Sequence, residues 1–457
     1  MKIKIGLFDH MVLQRDSANL SNARFVGNSP HSGMLQMRVA GPGRTANLPW
    51  DDVLIVTGDD FMVDLRGISS GGPYDVEMRI LAHPKKPPLD TLMVRDVLVG
   101  DVWVLAGQSN MEGCGRMNYA VSPDPRVRAF YMHDAWGVAK DPLHELHRAV
   151  DPVHAAIGAG APPPTPRVYG VGPGLAFAKE MLKRTGVPQG LISCAHGGTS
   201  MEQWNPHKKD LSGVSLYGAM LRRVVKCGGL ISGVAWYQGE SDASAGPASA
   251  YTARMQEFVT EVRDDLGKSK LPFVVVQIAR VVTGGDPAHW NSIQEQQRRL
   301  PEAISRLAVA PAIDLALDDG IHIGGPDTER LGKRLAGAMG HLAAGRGAGM
   351  APITLKKVTV KAGANGERGD VVVEFGNVDG ELASGGRPVG FSVFDANNVD
   401  CVYGVELATN KAIVHTTISK KDLPGRDLWY GRGFNPVCNI HDSDDRAVPA
   451  FGPIRLS

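Results

Sequence analysis

Over residues 34–82 apolar and polar positions alternate in short runs, MLQMRVAG, DFMVDLRG and YDVEMRI among them, separated by Gly and Pro turns. Alternation with period two puts one face of a strand on a core and the other in water, so the stretch predicts a small all-β unit. Across residues 102–339 the rhythm changes. Short apolar runs (VWVLA, GLISC, ISGVAWYQ, PFVVVQIA, RLAVA) are each followed by a longer segment, most of them with helical spacing. Residues 175–183 show that spacing, and Gly186 stands where a left-handed residue would end the helix. Strands that alternate with helices imply a mostly parallel sheet covered on both faces. After about Gly345 the helical period stops, and VTVKAG, DVVVEFG, PVGFSVFD and KAIVHTT return to short strands with Gly and Asn turns. The pattern predicts an α/β protein in three parts: a β-rich unit over 1–96, a parallel-sheet unit over 97–345 and a second β-rich unit over 346–457. At roughly 150 residues per domain, 457 residues accommodate three.

Composition narrows the partners. Charged residues are 21% of the chain and the formal net charge is +1, so bulk electrostatics favour neither a nucleic acid nor an anionic membrane. Five scattered cysteines form no CxxC pair and read as buried thiols rather than a disulfide scaffold. The start, MKIKIGLFDHMVLQRD, lacks the apolar run of a secretory signal, and no stretch approaches a membrane span. The expectation is a soluble chain whose compartment and oligomeric state stay open.

The chemistry concentrates in four segments. VWVLAGQSNMEG places Ser109 just after an apolar strand, with Gly107 before it to allow a sharp turn. Open α/β sheets carry their sites at the carboxyl ends of their strands, which marks this serine out from an ordinary turn serine. A hydroxyl needs a base within hydrogen-bond reach, and the base needs an orienting partner. In LDDGIHIGG, Asp319 and His322 stand three residues apart in a Gly-containing loop and can deliver carboxylate and imidazole together; Asp318 and Asp314 are alternative carboxylates. An oxyanion hole has two candidate sources. In SCAHGGTSMEQW the paired glycines can bring a backbone N–H close to the reacting carbonyl, Gly198 before Gly197; in VAWYQGESDA, Gln238 offers a side-chain amide. Either feature can instead be structural, the glycines as a turn and Gln238 as a partner for nearby backbone.

Taken in order, GQSNMEG, HGGTSMEQW, WYQGESDA and DDGIH resemble the sialate O-acetylesterases and the family 6 carbohydrate esterases. LFDHMVLQRD and the stretch from GGPYDVEMRI to VLVGDVWVLAGQSNM extend the likeness toward the N-terminus. The resemblance implies an SGNH-hydrolase (flavodoxin-like) sheet between β-rich, sandwich-like flanks. It also implies a Ser109, His322, Asp319 triad with the Ser109 N–H, Gly198 and Gln238 as oxyanion donors. The implied reaction removes acetyl groups from a sugar through an acetyl-enzyme and requires no metal or organic cofactor; family members are often secreted or periplasmic. Gln108, Asn110, Trp204, Glu240 and Arg280 become candidates for contacting the sugar, although a tryptophan in Trp204's place is more often core. The competing readings are a lipase or thioesterase for longer acyl chains and a carbohydrate-binding protein that keeps the scaffold without the catalysis.

Other features carry less. His144 and His147 in PLHELHRAV, with His133 and His154 nearby, invite a metal reading, but HxxH lacks the spacing that puts two ligands one helical turn apart. Residues 116–167 read instead as a long loop walling the site. GVGPG misses the phosphate-loop spacing and reads as a helix opening.

Overall fold

In the computed structural model, which describes residues 1–41, 49–282, 284–343, 349–364 and 366–457, strands that read as continuous apolar runs are buried along their whole length. Gln189–Ser193, Gly233–Tyr237, Phe273–Gln277 and Leu307–Pro311 have every residue buried. They pair in parallel, and the order across the sheet is Val127–Phe130, Gln189–Ser193, Asp90–Gly107, Gly233–Tyr237, Phe273–Gln277, Leu307–Pro311. The short Trp136–Val138 strand is antiparallel at one edge. Helices such as Pro173–Thr185, Ala245–Asp265, Pro287–Ala303 and Gly325–Leu342 follow these strands. Gly186 closes the first of them with φ +71°, its N–H on the Leu182 carbonyl, and GVGPG supplies the same helix with its leading Gly172 and Pro173.

The architecture is mixed α/β, one large mixed sheet accompanied by several smaller β sheets. Asp90–Gly107 is an 18-residue strand that serves two purposes. Its first half pairs antiparallel with Gly71–Leu81, and its second half is the centre of the parallel array. The division expected between residues 96 and 97 therefore falls inside a hydrogen-bonded strand, and apolar side chains from both sides of it join one continuous core. A buried ion pair, Arg15 to Asp101 at 2.7 Å, ties the N-terminal region to the middle of that strand. Residues 42–48, within the predicted N-terminal β region, and the division expected at 345/346 lie outside the described residues.

Residues 116–167 depart from the loop reading, because Val127–Phe130 is a buried strand of the large sheet. Arg128 disguises it in the sequence; its guanidinium reaches Asp96 at 2.9 Å. Beyond the last helix, Thr354–Ala362, Arg368–Gly376, Lys411–Ser419 and Val402–Ala408 form an antiparallel sheet. Phe391–Val393, Asp427–Tyr430 and Phe451–Arg455 form another, and the two share a separate apolar cluster. No helix among the described residues is long and apolar enough to cross a membrane.

Candidate active site

The Asp90–Gly107 strand is the switch point of the parallel array: the chain goes from it to one side, returns, and then builds outward on the other. The crevice at the carboxyl end of such a strand is where open α/β sheets bind ligands. Gly107 ends the strand at φ +125°, and a Cβ there would lie 2.1 Å from the Tyr237 carbonyl oxygen. Only glycine lets the chain turn there. The next turn, Ser109–Glu112, is helical and opens on the half-buried serine.

Ser109 Oγ is 3.0 Å from His322 Nε2, and His322 Nδ1 is 2.6 Å from Asp319 Oδ2. An ionised carboxylate can only accept, so the proton sits on Nδ1, and Nε2 is left to accept from the serine hydroxyl. The other oxygen of Asp319 accepts the backbone N–H groups of Ile321 and His322, each at 2.8 Å. Burial pushes this carboxyl up, but the His322 ring and the two N–H groups outweigh it and hold it below the usual carboxylate range. Asp318 and Asp314 are occupied elsewhere. Asp318 caps the N–H groups of Arg116 and Gly325, and Asp314 is paired with Arg334 at 2.6 Å.

Asn110 joins the two halves of this arrangement. Its Oδ1 accepts the Ile323 N–H at 2.9 Å, and its Nδ2 donates to Glu240 at 2.9 Å, so the histidine loop is pinned to the serine turn. The Asn110 side chain is buried and spent on that task rather than presented to a sugar. Gln108 is likewise buried, with Oε1 accepting from the N–H groups of Gly239 and Ser241. Glu240 holds one oxygen on Asn110, its other oxygen is buried without a hydrogen bond, and burial raises its pKa. Arg280 donates to Asn435 at 2.6 Å and to the Leu315 carbonyl, linking the site's flank to the C-terminal region.

Two expectations are corrected here. Trp204 is not a sugar platform: it has no exposed surface, crosses Trp236 edge-to-face at 5.1 Å, and donates its indole N–H to Thr199. Gln238 is not free to complete an oxyanion hole, because its amide donates to the Thr199 carbonyl at 3.1 Å and to Asp242 at 2.5 Å. The amide has only two protons, and both are engaged. Both residues instead support the loop that carries the paired glycines. In that loop the Gly197 N–H is used by Glu112, whereas Gly198, exposed at φ +68°, has an N–H without a hydrogen-bond partner among the described residues. The Ser109 N–H is unpartnered in the same sense. Nothing in the residues around Glu112 marks it as part of the site, because its partner is a backbone N–H far along the chain.

Two of the histidines in residues 133–154 also have other employment. His144 Nδ1 meets the Glu112 carbonyl at 3.0 Å, and His154 meets His196 at 2.9 Å between the two Nδ1 atoms. Burial pushes His144 and His154 down to about 3 and His196 to about 4, so these rings are neutral at physiological pH. No group of three or more His, Cys, Asp or Glu among the described residues is arranged to hold a metal ion.

Residues 99–341 match the family described as carbohydrate esterase, sialic acid-specific acetylesterase. The match takes in more than half of the chain, and the protein belongs to this family. A probable carbohydrate esterase from Arabidopsis thaliana is 31% identical over 256 residues, 52% of this chain and 89% of that one. Human sialate O-acetylesterase is 25% identical over 207 residues, and the match spans 39% of that longer protein. The crystal structure of a carbohydrate acetylesterase from Xanthomonas citri superposes with a TM-score of 0.70 at 24% identity, covering 98% of each chain, which establishes a shared fold.

Proposed function

We propose that this chain is a carbohydrate O-acetylesterase working as a serine hydrolase of the SGNH type, with acetylated sugar or polysaccharide of the sialate or xylan kind as its substrate. The observation that carries the reading is the continuous relay from Ser109 Oγ through His322 to Asp319, with contacts of 3.0 and 2.6 Å. Family membership supplies the acetyl ester and the carbohydrate.

The proposed reaction has two acyl transfers. Ser109 Oγ attacks the acetyl carbonyl while its proton passes to His322 Nε2, and Asp319 stabilises the imidazolium through Nδ1. The carbonyl oxygen becomes an oxyanion that the Ser109 and Gly198 N–H groups, neither with another partner among the described residues, are free to receive. His322 then returns the proton to the departing sugar oxygen, leaving acetyl on the serine. Water, deprotonated by the same ring, releases acetate and restores the hydroxyl.

The test is acetate release measured on acetylated sialic acid and acetylated xylo-oligosaccharides, together with acetyl and octanoyl nitrophenyl esters. Hydrolysis is expected for the acetyl esters and for at least one glycan, falling at least about a thousandfold in Ser109→Ala with an unchanged melting profile. Full activity of that variant removes the nucleophile assignment, and a preference for octanoyl esters replaces the carbohydrate reading with a lipase-like one.

A further inference from the structure

The loop after the Gln189–Ser193 strand is held along its length. The His196 N–H donates to the Gly107 carbonyl at 3.0 Å, and the Thr199 hydroxyl donates to the His196 carbonyl at 2.7 Å while accepting from Trp204. Between these anchors stand the two glycines, and among the described residues the Gly197–Gly198 segment has one polar tie of its own: the Gly197 N–H donates to Glu112 Oε2 at 2.7 Å. A Cβ at Gly197 would lie 3.1 Å from that oxygen and 3.3 Å from Ser109 Cβ, so the loop rests directly on the nucleophile's turn. Glu112 is the last residue of that turn. Its N–H donates to the Gln108 carbonyl at 2.9 Å, and its own carbonyl is held by His144. The carboxyl is thus fixed to the same rigid turn as Ser109, and it grips the residue immediately before the exposed Gly198 N–H.

We propose that Glu112 is a positioning residue of the esterase, clamping the Gly197 N–H so that the Gly198 N–H stays aimed at the oxyanion formed on Ser109. This rests on the serine-hydrolase reading given above. Glu112 touches neither the acetyl group nor the sugar in this role, and it acts only through the peptide it holds. Oxyanion stabilisation depends on donors that are in place before charge develops. With Gly198 at φ +68° and no side chain to lock it, the adjoining peptide has few other restraints. What the role requires is an acceptor at this position, which a neutral amide also supplies.

The experiment compares Glu112→Ala and Glu112→Gln with the parent and with Ser109→Ala, using kcat and KM on an acetyl nitrophenyl ester and inhibition by phenylboronic acid, which places a boronate oxygen in the hole. Glu112→Ala is expected to lose about 10- to 100-fold in kcat, with KM changed less than about twofold and boronate affinity reduced in parallel. Glu112→Gln keeps an acceptor and is expected within about threefold of the parent in both readouts. Should the alanine variant not fold, Glu112→Asp takes its place, because the shorter side chain withdraws the carboxyl from Gly197. Unchanged kcat and boronate affinity on loss of the acceptor overturn the proposal, as does a glutamine variant as impaired as the alanine one. Activity surviving in Ser109→Ala overturns the underlying reading instead, so the two failures are told apart.

Discussion

Ser109 and His322 stand 213 positions apart in the chain and meet with Oγ and Nε2 separated by 3.0 Å. Their encounter follows from sheet topology. Ser109 leaves the central strand, His322 lies on the loop between the edge strand Leu307–Pro311 and the Gly325–Leu342 helix, and Asn110 bridges from the serine turn to the Ile323 N–H. The imidazole is thereby located by backbone as well as by Asp319.

The partner of that imidazole can be tested directly. Asp319 fixes the proton on Nδ1, and an asparagine there can present its N–H instead, favouring the wrong tautomer. Asp319→Asn is expected to lower kcat by about 10² to 10⁴-fold, the range reflecting a carboxylate that is 54% exposed and open to water. Asp318→Asn keeps an oxygen for the Arg116 and Gly325 N–H groups and is expected to stay within about tenfold. Steady-state kinetics on one acetyl ester separate the two, and equal losses remove the assignment of Asp319.

Trp204 offers a second discrimination. A ring that stacks on sugar raises KM when it is removed, whereas a ring buried under the Gly197–Gly198 loop loosens that loop. Trp204→Phe deletes the N–H that holds Thr199 and opens space beside Trp236, at an expected cost of about 1 to 3 kcal/mol in stability. The expected kinetic result is a reduced kcat with KM for an acetylated oligosaccharide unchanged. A rise of tenfold or more in KM with kcat preserved restores the sugar-contact role.

These outcomes turn on what a sequence reveals. The GQSN and DDGIH segments were legible because each joins a recognisable strand end to residue types that do little else together at that spacing. The α/β alternation was legible because strands buried on both faces are apolar throughout. The direction of a side chain was not. Gln238, just past the Gly233–Tyr237 strand, and Trp204, in the turn that follows the glycine loop, lie in the right segments, yet both are engaged beneath that loop, which residue type and spacing do not reveal. The continuity of Asp90–Gly107 was hidden for a different reason. Gly100 and Asp101 interrupt its apolar run, although Gly100 is needed where the Pro188 carbonyl oxygen would lie 1.9 Å from a Cβ, and Asp101 is neutralised by Arg15. Glu112 left no signal because its partner is a backbone N–H 85 residues away.

The burial of Glu112 has a consequence for stability that its role in the loop does not require. Burial pushes this carboxyl from an ordinary 4.5 up to about 7, while the Gly197 N–H, Arg167 and His322 pull it down by less. His144 faces it only through the backbone carbonyl, and the Cys114 thiol is itself pushed up to about 12 and stays uncharged. Between those two pH values the native protein keeps a proton that the unfolded chain releases, so stability falls as pH rises from about 4.5 to about 7 and levels off above. The full penalty is of order 3 kcal/mol, taking 1.36 kcal/mol per pH unit. Glutamine has no proton to lose. Glu112→Gln is therefore expected to match the parent in urea unfolding at pH 4.5 and to exceed it by up to about 3 kcal/mol at pH 8. Parallel curves across that range would mean that the carboxyl reaches solvent or an unseen partner and ionises freely, and the buried setting assigned to it would have to be given up.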